Sequence, residues 1–157
     1  MIEESVEGFV ARWRTHAVRA TAFARAEGSP LLELGIGDAV LQTLERTGPY
    51  LAPTGPVRVV LHAMALGFEP AGQGERRLAG AGLGRLELAG CVVERDGRLV
   101  VIDAGYPVVV ALDDPAGEAQ PPGGGAWVSC ASLAPVHAFV LPPERARVDG
   151  VPTDELV

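Results

Sequence analysis

The chain has 157 residues, of which 48% are hydrophobic and 21% charged, and it carries a formal net charge of -7. This length and composition fit one compact domain with a sizeable core and exclude a wholly disordered chain. A net negative charge repels phosphate polyanions, so general coating of nucleic acid is disfavoured. No stretch approaches the ~20 apolar residues of a membrane span, and the acidic start lacks the pattern of a secretory signal, which predicts a cytoplasmic protein without a membrane partner.

Two helices are predicted in the N-terminal third of the chain. Apolar residues recur at steps of three and four over residues 3–26, which is typical of one face of an amphipathic helix, and Gly28 supplies its end. Trp13 lies on that face and is predicted to pack in the core. A second helix is predicted over residues 38–46, with Asp38 as its N-cap.

Beyond residue 56 the sequence pattern becomes that of β-strands. Residues 57–66 form an apolar run typical of a buried strand, and the Gly-rich and Pro-rich residues 69–85 predict a long loop. From Leu86 onward, two apolar runs flank Asp96-Gly97, which is a short hairpin signature. Further strands are predicted over residues 106–112, 126–133 and 135–141, the last two forming a final hairpin, with an acidic loop over residues 113–125.

The five strands between Leu86 and Leu141 follow a recognisable rhythm: a hairpin, a third strand, a long connection and a final hairpin, with Gly90 where a barrel strand bends. This rhythm resembles the OB-fold, a five-stranded Greek-key barrel. The predicted fold class is therefore α+β, with N-terminal helices packed on an OB-like five- or six-stranded antiparallel β-barrel. The predicted divisions are a helical segment over residues 1–56, the barrel over residues 57–142 and a flexible tail over residues 143–157.

The OB-like resemblance implies a binding face on the second and third strands and the adjoining loops, often used for single-stranded nucleic acid or oligosaccharide. Direct binding of single-stranded nucleic acid is therefore one alternative function. It predicts contacts from cations around the hairpin and from the few aromatic residues that could stack on bases. The candidate residues are Arg85, Arg95, Arg98, Tyr106 and Trp127, joined by Arg76 and Arg77 from the long loop.

Consecutive apolar residues predict a different use of the same strands. Residues 99–102 and 108–112 are apolar at adjacent positions, so both faces of these strands should be covered. One face is the barrel interior, and the other meets either the N-terminal helices or a second copy of the chain. This pattern favours a non-enzymatic binding or assembly module that acts through protein contacts or self-association as a homodimer. The OB-like resemblance implies an accessory role in nucleic-acid transactions.

One stretch resembles a cofactor site. In "LLELGIGDAV", residues 31–40, Glu33, Gly35 and Gly37 match the nucleoside-binding turn of methyltransferases. The several further βα units that such an enzyme needs are missing, so a tight turn into a helix is the preferred interpretation. A small methyl-transfer enzyme centred on residues 33–38 is the second alternative, and no cofactor is predicted.

Two other features are candidate functional sites, a cysteine–histidine pair and the last residues of the sequence. If the last two strands form a hairpin, Cys130 and His137 face each other, and we expect both to be buried and inert. No spacing of ligand residues predicts a metal site. The stretch "PTDELV", residues 152–157, combines acidic and apolar residues. This composition resembles that of a short linear motif that binds in a groove of a partner protein.

Overall fold

The computed structural model describes residues 5–26, 28–47, 54–114, 117, 119–142, 147–148 and 151–152. The described chain is mostly β, preceded by one short helix, α1 (Val6–Trp13), which continues as a 3-10 turn over Arg14–His16. No helix among these residues is long and apolar enough to cross a membrane. The strands are β1 (Val18–Ala22), β2 (Leu31–Ile36), β3 (Ala39–Glu45), β4 (Gly55–Ala65), β5 (Glu69–Pro70), β6 (Arg77–Gly80), β7 (Leu86–Asp96), β8 (Leu99–Asp103), β9 (Pro107–Leu112), β10 (Trp127–Ala131), β11 (Leu133–Val140), β12 (Arg147–Val148) and β13 (Val151–Pro152).

The prediction of N-terminal helices is wrong beyond residue 16. The predicted first helix is replaced after α1 by β1, in which Val18, Ala20 and Ala22 point inward and alternate with exposed residues. The predicted second helix is β3, whose side chains also alternate between buried and outward positions. Gly37 has a φ of 57° and, with Asp38, forms the tight turn between β2 and β3, so Asp38 is a turn residue and not a helix cap. The start of the first predicted helix and residues 48–53 lie outside the described residues.

Five strands close into a small barrel. Their order around the ring is β1, β2, β3, β11 and β4, and β4 pairs again with β1. All neighbours are antiparallel except β3 and β11, which run parallel. The predicted small closed barrel is thus confirmed and is consistent with an OB-like barrel. The strands that close it differ from the predicted ones, because only β11 comes from the stretch between residues 86 and 141.

The remaining strands of the large sheet are inserted in the chain between β4 and β11. The sheet continues from β4 through β9, β8, β7 and β10 to β5, while β6 pairs with β7. β5 and β6 lie in the stretch predicted as a loop over residues 69–85. The predicted final hairpin is wrong, since β10 pairs with β7 whereas β11 pairs with β3 and β4. The division of the chain at residues 56 and 142 stays a prediction, and strands on both sides of residue 56 share one sheet.

Helix α1 covers the outer face of the sheet where it passes from the barrel into the inserted strands. Ser5 caps the helix by accepting a hydrogen bond from the backbone N of Gly8 (2.9 Å). Phe9 and Trp13 are buried, and the Phe9 ring stacks on Phe139 of β11 at 4.4 Å between centroids. The same cluster contains residues of β4, β8 and β9, so the apolar outer face of β8 and β9 is covered by the chain's own helix.

Candidate functional site

The outer face of β2 and β3 carries apolar side chains that nothing in the described structure buries. Three cross-strand pairs form it: Leu31 with Leu44, Glu33 with Gln42, and Gly35 with Val40. Leu31 is 66% exposed and Val40 is also largely exposed. The inward residues between them belong to the barrel core, so strict alternation forces these side chains outward. We call this surface, together with its two flanks, the β2–β3 face.

One flank is the connection from β1 to β2. Phe23 is partly exposed and its ring lies over Gly35, where a Cβ atom would stand 3.1 Å from the ring. Its backbone N donates to the carbonyl of Glu33 (3.0 Å), which fixes the aromatic side chain on the face. The glycine at position 35 therefore provides the space in which the phenylalanine packs.

The other flank is the tight turn between β6 and β7. Its Leu83 is 88% exposed and has a φ of 45°, a left-handed backbone conformation that is unfavourable for a leucine. The turn is fastened to the barrel, since the backbone N of Gly84 donates to Gln42 Oε1 (3.2 Å) and the carbonyl of Gly84 accepts from Val136 N (2.9 Å). This fastening holds an exposed leucine at the edge of the face.

A groove of about 640 Å³ runs between the two flanks. Its apolar walls include Leu31, Leu44, Leu83 and Pro135. Its polar and charged lining residues are Arg25, Ser29, Glu33, Gln42 and Thr43. A volume of several hundred Å³ whose lining combines apolar walls with polar groups is typical of a binding site. The groove is therefore a candidate binding feature on this side of the barrel.

A buried ion pair closes one end of this groove. Arg25 Nη1 lies 2.6 Å from Glu45 Oε1, and both side chains are at most one-tenth exposed. The hydroxyl of Thr47 donates to the second carboxylate oxygen of Glu45 (2.9 Å). Such a pair costs desolvation free energy and contributes a fixed arrangement of groups, here joining the β1–β2 connection to the end of β3.

Two of the residues predicted from the sequence come together away from this face. The guanidinium of Arg76 lies 4.8 Å from the centroid of the Trp127 ring, and its Nε is 3.2 Å from Asp103 Oδ2. Trp127 and Asp103 both pair with Cys91 of β7, on its two sides, so the arginine bridges three strands. Trp127 is half-buried and its π-face is occupied by Arg76 in this arrangement.

The predicted cationic surface is spread out. Arg85 precedes β7 and Arg95 lies near its other end, and ten residues of extended strand span about 33 Å. Arg98 Nη1 donates to the carbonyl of Ala119 (3.0 Å). Arg77 in β6 pairs with Glu75 at 3.3 Å.

The remaining candidates pack into the protein. Tyr106 is half-buried, adjoins the main core and places its hydroxyl against Gly37. Cys130 and His137 lie in strands that do not pair, so the predicted contact between them is wrong. Burial raises the pKa of the Cys130 thiol to about 12, which keeps it protonated and inert at neutral pH.

The glycine-rich stretch at residues 33–38 forms part of a β-hairpin. The interpretation of this stretch as a turn into a helix is therefore wrong, and the strand–turn–helix setting that a nucleoside-binding turn requires does not occur there. No group of three or more His, Cys, Asp or Glu side chains that could hold a metal ion is found within the described ranges.

The β2–β3 face was not predicted from the sequence. A sequence signal for the exposure of Leu31 and Val40 does exist. Side chains alternate with a period of two in "LLELGI" and "AVLQTLE", which indicates two strands with outward apolar residues and not a helix. No comparable signal marks Leu83, because its exposure depends on how the β6–β7 turn meets the barrel. Comparisons of the chain with models of known protein families and with curated proteins find no match.

Proposed function

We propose that the chain is a non-enzymatic binding module that receives an extended, apolar segment of a partner protein on the β2–β3 face. The observation that carries the proposal is the presentation of Leu83, almost fully exposed and in a left-handed conformation, beside the exposed Leu31. Exposed apolar side chains grouped on one surface are typical of protein interaction sites. OB-like barrels bind ligands on the corresponding strands and loops, which supports the same surface.

The chemistry of the face favours a protein partner over nucleic acid. The outward polar residues of β2 and β3, Glu33 and Gln42, supply no positive charge for phosphates. On the flanks, Arg25 is paired with Glu45, and the exposed Arg85 of the β6–β7 turn is balanced in net charge by Glu33. Phe23 is its one large aromatic side chain among the described residues, whereas sequence-tolerant binding of single strands relies on several stacking platforms. Apolar anchors such as Leu31 and Leu83 instead suit aliphatic side chains of an extended peptide.

The partner is proposed to be a different protein and not a second copy of the chain. The argument for self-association rested on the outer face of β8 and β9, and helix α1 covers that face. From the OB-like resemblance alone we also propose that this module is an accessory subunit in nucleic-acid transactions.

The test begins with the full chain as bait for a phage-displayed library of random dodecapeptides. Selected peptides are synthesised and titrated by fluorescence anisotropy against the chain and four single variants. Leu31→Asp and Leu83→Asp place a charge on the face. Leu66→Asp and Val93→Asp are matched controls, because these residues are 57% and 53% exposed but lie off the face.

We expect peptides rich in aliphatic residues, and each face variant should weaken their binding by about tenfold or more, the loss typical of removing an interface anchor. The two control variants should leave the affinity unchanged. Failure to enrich any peptide, or equal binding to the face variants and the parent chain, would overturn the proposal. Binding of a labelled single-stranded oligonucleotide that falls steeply with salt and is lost in Arg95→Glu would replace it with the nucleic-acid function.

A further inference from the structure

One carboxylate on the β2–β3 face has no ion-pair partner among the described residues. Glu33 is exposed in the middle of β2 and lines the groove between the two flanks. No arginine or histidine side chain of the described chain forms an ion pair with it. The cation that lines the same groove, Arg25, is held in the buried pair with Glu45. The groove therefore carries an uncompensated negative charge.

Two further arginines lie around the face without neutralising this carboxylate. Arg85 balances Glu33 in the net charge of the surface, but it does not line the groove. Arg19 lies four residues before Phe23, which is about 13 Å along an extended chain. Since neither arginine is paired with Glu33, the carboxylate stays available to a cation from outside the chain.

An aromatic ring stands next to this carboxylate. The backbone N of Phe23 donates to the carbonyl of Glu33 (3.0 Å), so the two residues are neighbours on adjacent segments of chain. The Phe23 side chain is 42% exposed, and its ring lies over Gly35, the next outward position of β2. The face of an aromatic ring attracts cations, and a carboxylate accepts charge-assisted hydrogen bonds from them. Carboxylate and ring together favour a basic side chain.

A neutral hydrogen-bond donor lies on the other side of Glu33. Gln42 is directly opposite Glu33 in the pairing of β2 with β3, which places their Cβ atoms about 5 Å apart. Gln42 Oε1 accepts from the backbone N of Gly84 (3.2 Å), and this hydrogen bond leaves Nε2 as the outward group. Within the described part of the chain Nε2 has no acceptor, so it can donate to a main-chain carbonyl of a bound segment. A peptide with a basic residue satisfies both groups.

We infer that the partner segment on the β2–β3 face carries a lysine or arginine that pairs with Glu33, flanked by aliphatic residues that contact Leu31 and Leu83. This inference rests on the proposed function and names the chemistry of the partner. Alternate residues of an extended segment point to the same side, so basic and aliphatic residues at alternate positions reach the face together. The net charge of -7 also attracts a basic segment towards the chain. An exposed ion pair adds little affinity, so Glu33 acts mainly in the choice of partner.

The test repeats the selection of phage-displayed dodecapeptides on the full-length parent chain and on Glu33→Lys. Peptides selected on the parent chain are then titrated by fluorescence anisotropy against the parent, Glu33→Gln and the matched control Glu87→Gln, at low and at high salt. Glu87 is also an exposed carboxylate in a strand without an ion-pair partner among the described residues, but it lies on β7, off the face. A second set of the same peptides carries glutamine in place of the basic residue.

We expect peptides selected on the parent chain to combine aliphatic residues with lysine or arginine, and those selected on Glu33→Lys to carry acidic residues instead. Glu33→Gln should weaken the parent-selected peptides by about fivefold at low salt, the effect of one partly covered ion pair, and the difference should disappear at high salt. Glu87→Gln should leave the affinity unchanged. The glutamine-substituted peptides should bind the parent chain and Glu33→Gln equally, because the pair is already broken.

Three results would overturn the inference: no excess of basic residues in the selected peptides, equal affinity for the parent chain and Glu33→Gln, or the same loss in Glu33→Gln and Glu87→Gln. Peptides that give one of these results but still depend on Leu31 and Leu83 leave the proposed function intact. Failure to select any peptide overturns the proposed function and this inference with it.

Discussion

Replacing Leu83 by glycine should separate the stability of the protein from its binding function. Leu83 has a φ of 45°, which costs an L-residue about 1–2 kcal/mol relative to a right-handed conformation. Glycine adopts this conformation without that penalty, but it loses about 0.5–1 kcal/mol more backbone entropy on folding. The leucine side chain is 88% exposed and contributes almost no burial free energy. Leu83→Gly should therefore raise the free energy of unfolding by about 0.5–1 kcal/mol, the difference between these two contributions.

The assay is urea unfolding followed by circular dichroism, with thermal melting as a second measure. A gain of this size corresponds to an increase in Tm of about 1–4 °C for a chain of this length. Affinity for the peptides selected on the β2–β3 face should fall about tenfold in the same variant, because an apolar anchor is lost.

Leu66→Gly is the matched control for this substitution. Leu66 is also an exposed leucine that follows a strand, but its φ is not positive, so glycine relieves no strain there. We expect this control to lower the free energy of unfolding by about 1 kcal/mol through backbone entropy and some lost contact. Destabilisation of the chain by Leu83→Gly to the same extent as by Leu66→Gly would refute the reasoning that strain is stored at Leu83.

Three further predictions concern the core, the hydrogen bonds of Arg12 and His16 with Glu94 of β7, and the thiols. Trp13→Ala removes a side chain that is 1% exposed and should lower the free energy of unfolding by about 3–5 kcal/mol, measured by urea unfolding; a loss below 1 kcal/mol would show that α1 does not contribute to the core. Hydrogen bonds from Arg12 and His16 lower the pKa of Glu94, so this carboxylate contributes stability above its ordinary pKa of 4.5, and the contribution is lost as the pH falls through the lowered value. Unfolding measured from pH 6 to pH 3 should show a smaller loss of stability in Glu94→Gln than in wild type, and identical profiles would contradict this. Because burial raises the pKa of Cys130 to about 12, a Cys91→Ser chain should react with Ellman's reagent at pH 8 only after unfolding, and rapid reaction of the folded chain would contradict the burial.

Strands with a strong local signal were predicted correctly from the sequence, whereas the two predicted N-terminal helices were wrong except for the part of the first that forms α1. The hairpin around Asp96-Gly97 carries its turn chemistry in two adjacent residues, so local reasoning suffices. In residues 17–24 the small alanines fit the apolar stripe of a helix and the alternation of a strand equally well. The segment forms strand β1 because it pairs with β4. Asp38 fits a helix cap and a hairpin turn alike, and only the pairing of β2 with β3 distinguishes them.

The order of strands in the barrel was even harder to predict from the sequence than the type of the N-terminal elements. The ring is completed by the parallel pairing of Thr43 with Val136, residues far apart in the chain, and no local pattern encodes that contact. The same reason explains why the β2–β3 face was missed. Its flank at Leu83 is brought to Gln42 by the fold, whereas the candidate arginines were chosen because they are close in sequence. In the extended conformation of β7, however, Arg85 and Arg95 lie at opposite ends of a long strand.

The position of β11 between β3 and β4 has a consequence for the way the chain is made. During synthesis from the N-terminus, β1 to β4 emerge first, but the seam between β3 and β4 stays open until residues 133–140 leave the ribosome. An open seam presents unpaired backbone groups along two strand edges, which are templates for aggregation. Six intervening strands must therefore be produced while the nascent barrel is incomplete, and the high contact order of the closing step makes folding slow. The nascent chain consequently exposes both edges while residues 66–140, nearly half of its length, are synthesised.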